Sequence, residues 1–257
     1  MVKTAGDIKV IFFDLGHTLI FFEGDLNEAL AEGTRAMLET LHARGYALDA
    51  AALAPLFLHR LQEYYFRRDQ SLIETPTTTL LREFLRTYGY PEPAPADLTE
   101  ALTAFYAPTE ARWQPEAEAQ PTLEALHQHG YRMGLISNAG DAADVHRLVD
   151  KARLRPYLEH IIISAEVGWR KPHPAIFTHA LHGFGVRASQ AVMVGDLLWA
   201  DVWGAQRVGM RGIWLTRHAG STVPTTLPEP VQPDAALERL SELPILLEHW
   251  QKNSPPS

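Results

Sequence analysis

The sequence has no cysteine, which excludes disulfides and any thiolate metal site and is in keeping with a reducing, cytoplasmic setting. It has no basic excess. Lys and Arg number 23 against 31 Asp and Glu, a net charge of -8, so no nucleic-acid partner is expected. It has no long apolar run. The stretch near the N-terminus, Val10 to Phe13, is broken by Asp14 and is too short for a signal peptide or a membrane span, so no membrane partner is expected. No internal repeat is evident. What is present is ordinary globular composition, 46% hydrophobic and 21% charged over 257 residues. That is enough to bury a full core, in one large domain or two smaller ones.

Val10 to Phe13 is a run of β-branched and aromatic residues, suited to a strand buried on both faces of a parallel sheet. Phe21 to Asp25 reads as a loop with a helix start. From there the pattern is helical as far as Arg112. Apolar residues from Leu26 to Leu41 recur at helical spacing up to Gly45, Ala50–Arg68 and Thr77–Tyr88 follow, and Asp97–Tyr106 is opened by Pro95 and closed near Pro108. Then strand and helix alternate. Strands are expected over 132–136, 161–164, 191–194 and 212–215. Helices are expected over 122–129, 144–152, 174–184 and 201–208. Ser221–Pro233 reads as a loop, Leu237–Trp250 as a last helix interrupted near Pro244, and 253–257 as a disordered tail. Alternation of this kind gives a parallel sheet with right-handed crossovers. The fold expected is therefore an α/β, Rossmann-like parallel sheet core, residues 1–22 and 113–252, with an all-helical cap, 23–112, inserted after its first strand.

In such a sheet the carboxyl ends of the strands lie along one edge, where ligands bind. Four of them end in notable polar groups: Asp14, Ser137 with Asn138, the loop Glu166–Lys171, and Asp196 followed by Asp201. Asp196 and Asp201 facing Asp14 suit a hard divalent cation such as Mg²⁺, which prefers oxygen ligands. The plainer alternatives are an Asx turn at Asp196 and a helix-start carboxylate at Asp201. Ser137 and Asn138, at a strand end before a helix, suit phosphate oxygens, or else a simple N-cap. Lys171 would cancel repulsion between an anionic nucleophile and an anionic substrate, or else is a surface lysine with Arg170 its rival.

Together these residues resemble the haloacid dehalogenase superfamily of hydrolases. The resemblance rests on Phe13-Asp14-Leu15-Gly16-His17-Thr18-Leu19, Ile136-Ser137-Asn138, Lys171-Pro172, and Gly195-Asp196 with Asp201, in that order, over nearly the whole chain. It implies Asp14 as a nucleophile forming an aspartyl-phosphate. Mg²⁺ would be held by Asp14, Asp196 and the Gly16 carbonyl, with Asp201 behind the metal or Lys171, while Ser137 and Lys171 grip the transferring group. The implied partner is a small phosphorylated molecule. Oligomeric state is left open, a homodimer included.

One position departs from the family's phosphatases, which carry a second Asp two residues after the nucleophile. Here it is Gly16. Losing that acid/base costs about 10²–10⁴-fold in rate. The nearest replacement is His17, with Glu23 and Asp25 next, although His17 also reads as a plain loop histidine. Three outcomes are compatible: a specialised phosphatase, a metal-free dehalogenase, or a binding or phospho-acceptor module. The family's dehalogenases also lack the second Asp but lack the Gly-Asp pair too, so Gly195-Asp196 favours metal and phosphate. The cap would set the substrate. His59, Arg60, Tyr64, Tyr65, Arg67 and Arg68 would meet it, or else form a solvated helix face. Trp199 and Trp203 read as packing residues, with Trp199 placed to line the site mouth.

Overall fold

Alternate residues of β1, Val10–Phe13, feed two different cores. Ile11 and Phe13 pack on one face of a sheet, Val10 and Phe12 on the other, and all four are fully buried. The computed structural model describes residues 8–218 and 231–252. Within them β1 lies in the middle of a six-stranded parallel sheet of order β5-β4-β1-β6-β7-β8. The strands are β4 Arg132–Ser137, β5 His160–Ile163, β6 Ala191–Gly195, β7 Arg211–Leu215 and β8 Ala235–Leu237.

Helices cover both faces, as a sheet with two apolar faces requires. One face packs against α5 Ala119–Gln128, α6 Ala142–Lys151 and α10 Leu243–Lys252. The other packs against α8 Pro174–Phe184 and α9 Gly204–Arg207. A short helix, α7 Ser164–Val167, follows β5.

Between β1 and the rest of the sheet the chain leaves through β2 Ile20–Phe22 and returns through β3 Trp113–Pro115. These two pair antiparallel as a two-stranded neck. Beyond the neck stand α1 Leu26–Ala43, α2 Ala50–Ser71, α3 Thr77–Thr87 and α4 Pro95–Arg112. Asp25 and Asp49 cap α1 and α2 by accepting backbone N–H groups of Asn27 (2.7 Å) and Ala51 (3.0 Å). Met37, Leu41, Phe57, Leu81, Phe84 and Phe105 close a separate apolar cluster among these helices. The α/β sheet with an inserted helical cap is the architecture expected from the alternation of patterns.

Several local expectations are corrected. Phe21 and Phe22 belong to β2 rather than to a loop, because their strand partner lies some ninety residues on and leaves no local signal. Helix α4 runs through Pro108 to Arg112. Pro108 costs it one backbone donor, but Phe105 and Thr109 on either side are buried, so packing outweighs the loss. The segment after Asp234 forms β8 before α10 begins at Leu243, and Pro244 sits in the first turn, where a missing N–H is harmless. The expected helix over 201–208 opens as a π-type turn, Leu198–Trp203. Most of the loop expected over 221–233, and the tail 253–257, lie outside the described residues. No helix among the described residues is long and apolar enough to cross a membrane.

Candidate active site

All four predicted loops meet at the carboxyl edge of the sheet. Asp14 follows β1, and its N–H donates to the Val194 carbonyl (2.9 Å), which seats it beside the end of β6. Asp196 follows β6, and its carbonyl accepts the Trp214 Nε1–H from the neighbouring β7 (2.9 Å). Asp201 lies in the π-type turn with its carboxylate folded back under the strand end. A Cβ at residue 195 would fall 2.3 Å from the Asp201 Cγ, so this placement demands the glycine found there. One oxygen each of Asp14, Asp196 and Asp201 lie within 4.8 Å of one another.

Lys171 closes the cluster. Its Nζ lies 2.5 Å from Asp14 Oδ1 and 2.7 Å from Asp201 Oδ1, and the side chain is 2% exposed. Burial alone would lower its pKa. The two carboxylates more than offset that, and the ammonium stays charged. The rivalry with Arg170 is resolved by geometry, since Arg170 turns to Glu74 (2.9 Å). Asn138 spends both ends of its amide on Lys171: Oδ1 accepts the Lys171 N–H (2.7 Å) and Nδ2 donates to the Lys171 carbonyl (2.9 Å). Ser137, at the end of β4, lines the same cavity.

One ammonium does not balance three carboxylates. At 4.8 Å and an effective dielectric near 20, each carboxylate pair repels by about 3 kcal/mol. Asp196 makes no ion pair among the described residues. Burial, then Asp14 and Asp201, push it up to about 8, and burial pushes Asp201 up to about 6 against the pull of Lys171. Asp201 has both oxygens engaged, Oδ1 with Lys171 and Oδ2 accepting the Leu197 N–H (3.0 Å). The donors are all oxygen and carry excess negative charge, with no nitrogen or sulfur ligand among them. That set fits a hard divalent cation.

The cavity beside these groups holds about 420 Å³ and is walled by core and cap together. The cap segment after α2 docks on the core through backbone bonds: Arg170 N–H to Leu72 O (3.1 Å), Glu74 N–H to Gly168 O (3.0 Å) and Thr77 N–H to Gly140 O (2.8 Å). The Glu74 side chain is fully enclosed. It accepts from Tyr64 OH (2.6 Å), Ser164 Oγ (2.8 Å) and Arg170 (2.9 Å), which ties cap to core.

At Gly16 a Cβ would lie 3.1 Å from the Trp113 ring, so the indole occupies the space a side chain would enter. His17 lines the cavity in the left-handed backbone region, φ 55°. Its ring stands 5.3 Å from that of Trp113 and 6.0 Å from that of His218, which pairs with Glu116 (2.6 Å). Burial, then His218, hold His17 below the ordinary histidine value.

Of the residues expected to face a substrate, Tyr64, Tyr65 and Arg68 line the cavity. His59, Arg60 and Arg67 do not. His59 is exposed beside Glu63 and Arg60 pairs with Glu83. Asp25 is spent on its helix cap and Glu23 is exposed. Trp199 stacks on Trp203 at 3.9 Å and is not a cavity residue. Sequence reasoning missed Glu74, Tyr106, Trp113 and Asp144. Only Asp144 carried a signal, an acid one turn into the helix after Ser137-Asn138.

Comparison with known proteins places this geometry in a family. Residues 8–209 match the family model for haloacid dehalogenase-like hydrolases. The chain is 30% identical over 207 residues to a glyceraldehyde 3-phosphate phosphatase of Pyrococcus abyssi, covering 80% of this chain and 81% of the relative. It is 28% identical over 239 residues to a protein of the same name from Methanopyrus kandleri, covering 92% and 95%. Among solved structures, a 2-haloacid dehalogenase from Pseudomonas syringae pv. Tomato superposes with a TM-score of 0.68 at 29% identity, covering 95% of this chain and 99% of that one.

Proposed function

Because the chain belongs to the haloacid dehalogenase-like hydrolases, we propose that it is a Mg²⁺-dependent phosphatase of small phosphate monoesters with Asp14 as nucleophile. The observation that carries this reading is the acid cluster itself. The strand-end Asp14 and the buried Asp196 and Asp201 stand together with one lysine, which pairs with Asp14 and Asp201 alone, a charge excess that a divalent cation would balance. The phosphatase names of the Pyrococcus and Methanopyrus relatives support it.

Asp14, Asp196 and the carbonyl of Gly16 would hold the cation, with Asp201 orienting Lys171 and the Leu197 amide behind them. When bound, Mg²⁺ supplies charge neutralisation for an anionic nucleophile meeting an anionic ester. Lys171 fixes one oxygen of Asp14 and leaves the other to attack phosphorus. That attack forms an Asp14–phosphorus bond and breaks the ester bond, and the departing alkoxide takes up a proton from solvent water. Water then attacks the same phosphorus, the bond to Asp14 breaks, and inorganic phosphate leaves with the carboxylate restored. Ser137 and the backbone amides of its loop grip the phosphoryl oxygens.

Position 16 offers no side chain to protonate the alkoxide. His17, held neutral near pH 7 by burial, is suited to take the proton of the attacking water. On this reading esters with good leaving groups react fastest.

A screen of phosphate esters with and without Mg²⁺, beside Asp14→Asn, tests the proposal. Activity lost in both the chelated and the mutant samples supports it. The similarity to a 2-haloacid dehalogenase favours a second reading, which chelator-resistant chloride release from a 2-haloacid would establish instead. An aspartyl-phosphate that persists on Asp14 without turnover would point to a phospho-acceptor protein.

A further inference from the structure

The active-site cavity has an apolar side that the phosphoryl chemistry does not use. Leu26, Leu30, Met37 and Leu41 recur at helical spacing along one stripe of α1. Met37 and Leu41 are fully buried in the cap's own cluster. Leu26 and Leu30, at the N-terminal end of the stripe, line the cavity instead. Leu30 is half-buried. Leu26 is 49% exposed, the one exposed large apolar side chain among the described residues that lies on this cavity. The stripe thus continues past the packed part of the cap to a place where no side chain of this chain covers it.

Trp113 joins that side to the reacting atoms. Arg112, just before it, pairs with Glu32 of α1 (2.9 Å), which holds the neck against the same half of the helix. The half-buried indole lines the cavity, and its benzene end stands 3.1 Å from where a Cβ of residue 16 would lie, two positions past the nucleophile. The space beside Gly16 is therefore filled by an aromatic ring and not by a group that could hand a proton to a leaving oxygen.

These two features select the same leaving group. With no side-chain acid at position 16, an ester is cleaved most easily when its oxygen departs as a weak base. A phenol, which titrates near about 10 as tyrosine does, is a much better leaving group than an alkyl alcohol. Its ring is also what two leucines and an indole hold well, by apolar area and by offset or edge-to-face contact. A polar organic group gains less. The hydroxyls of Tyr64, Tyr106 and Thr109 on the cap's part of the cavity are already bonded, to Glu74 (2.6 Å), to Thr77 (2.7 Å) and to the Tyr106 carbonyl (2.8 Å).

Resting on the phosphatase reading above, we propose that Trp113, Leu26 and Leu30 form a subsite for an aromatic ring and that the substrates are aryl phosphate monoesters. On attack by Asp14 the ester bond breaks with its electron pair on the phenolate oxygen. The phenolate needs no proton to leave and takes one from solvent water afterwards.

Four phosphates separate the ring from the leaving group. Phenyl phosphate has a ring and a weakly basic leaving oxygen, and benzyl phosphate has a ring on an alkyl oxygen. Acetyl phosphate has a weakly basic leaving oxygen and no ring, and glycerol 3-phosphate has neither. The test measures kcat and KM for all four, with Mg²⁺, in the wild type and in Leu26→Asn, Leu30→Asn and Leu30→Met. Phenyl phosphate should be the best substrate, and benzyl phosphate should exceed glycerol 3-phosphate in kcat/KM by about tenfold or more. Leu26→Asn and Leu30→Asn should each lower kcat/KM for the two ring substrates by about tenfold, chiefly through KM, and leave the other two unmoved. Leu30→Met, apolar and of similar size, should retain the wild-type preference. Variants that lower all four substrates alike would overturn the proposal, since that marks a structural role. If acetyl phosphate matches phenyl phosphate and glycerol 3-phosphate matches or exceeds benzyl phosphate, the ring subsite falls and the phosphatase reading stands. Hydrolysis of none of the four would remove the phosphatase reading and this inference with it.

Discussion

Asn138 grips Lys171 by its backbone, accepting its N–H at 2.7 Å and donating to its carbonyl at 2.9 Å. The peptide plane behind the ammonium is thus fixed by a residue of a different loop, 33 positions earlier in the chain. Removing the amide should let Lys171 drift from Asp14 without removing its charge. Asn138→Ala is expected to lower kcat by about 10²-fold, the cost of an ångström-scale misplacement, with a smaller change in KM. Asn138→Asp keeps the acceptor but loses the donor and should fall between. Steady-state kinetics on any accepted ester decides it, and unchanged kcat in Asn138→Ala would mean that Lys171 is held by its carboxylates alone.

The charge excess around Asp196 makes a thermal prediction. Without metal, burial and the charges of Asp14 and Asp201 oppose ionisation of Asp196, which costs stability above the ordinary carboxyl range, so Asp196→Asn should raise Tm near neutral pH in the presence of a chelator. Mg²⁺ should raise the Tm of the wild type, by about 2.7 kcal/mol of added stability at a hundred times its Kd. It should leave Asp196→Asn nearly unmoved. Scanning calorimetry with and without Mg²⁺ checks both signs, and an equal Mg²⁺ shift in the two proteins would place the ion elsewhere.

Trp113 occupies the space beside Gly16, with its ring 3.1 Å from where a Cβ would stand. An acid introduced at 16 therefore needs the indole to give way. Gly16→Asp alone is expected to cost stability and add little activity. Combined with Trp113→Leu it should raise turnover of alkyl phosphates by about 10²-fold, the lower end of what a positioned general acid contributes. Turnover of p-nitrophenyl phosphate, whose leaving group needs no proton, should rise much less. Equal gains on both substrates would show that protonation was not limiting.

Asp144 ties stability to pH. Its carboxyl is pushed up to about 8, while the unfolded chain has the ordinary value near 4. Between those values the folded protein binds the extra proton, so stability falls as pH rises through the window, by up to about 1.4 kcal/mol per pH unit. The facing groups, Glu110, Asp141 and Arg147, remain in Asp144→Asn, which abolishes only this titration. The Tm of the variant relative to wild type should therefore be higher at pH 8 than at pH 5. A difference independent of pH would show that Asp144 is ionised in the folded state.

The chemistry-bearing loops were legible because each follows an unbroken apolar run. A strand buried on both faces must end somewhere, and Asp14, Ser137 and Asp196 mark those ends. A parallel sheet then brings them to one edge whatever their separation in the chain. Lys171 was legible only beside those acids. The remainder depended on partners far away in sequence. Phe21 and Phe22 become a strand only because 113–115 returns beside them. Glu74 falls between the helices expected over Ala50–Arg68 and Thr77–Tyr88, and its weight comes from Ser164 and Arg170, some ninety positions on. Asp144 reads in sequence as an ordinary helix-start acid, and what distinguishes it is burial beside the acids Glu110 and Asp141. Pro108 was read by its local preference, which the packing of Phe105 and Thr109 overrides.

Glu74 is the cap's buried anchor, and its partner Arg170 is 12% exposed. A guanidinium stripped of its carboxylate in such a place is costly: Glu74→Ala should destabilise the protein by about 3–5 kcal/mol. The penalty belongs to the orphaned charge more than to the lost bond. Removing both charges, as in Glu74→Ala with Arg170→Met, should therefore recover a large part of the stability lost in the single variant, a coupling that a double-mutant cycle measures. Asp69 stands 3.6 Å from Arg170 and would relieve some of the orphaned charge, which places the expected cost toward the lower end of that range. Because Tyr64 of α2 and Ser164 of the core both donate to the same carboxylate, the single variant should also loosen cap from core. Hydrogen exchange should then quicken at the Glu74 and Thr77 amides, which bond to core carbonyls, while the amides of β1 and β6 keep their protection. If the two single variants simply add, Glu74 and Arg170 are not coupled, and the cap is held by its backbone bonds to Gly140 and Gly168.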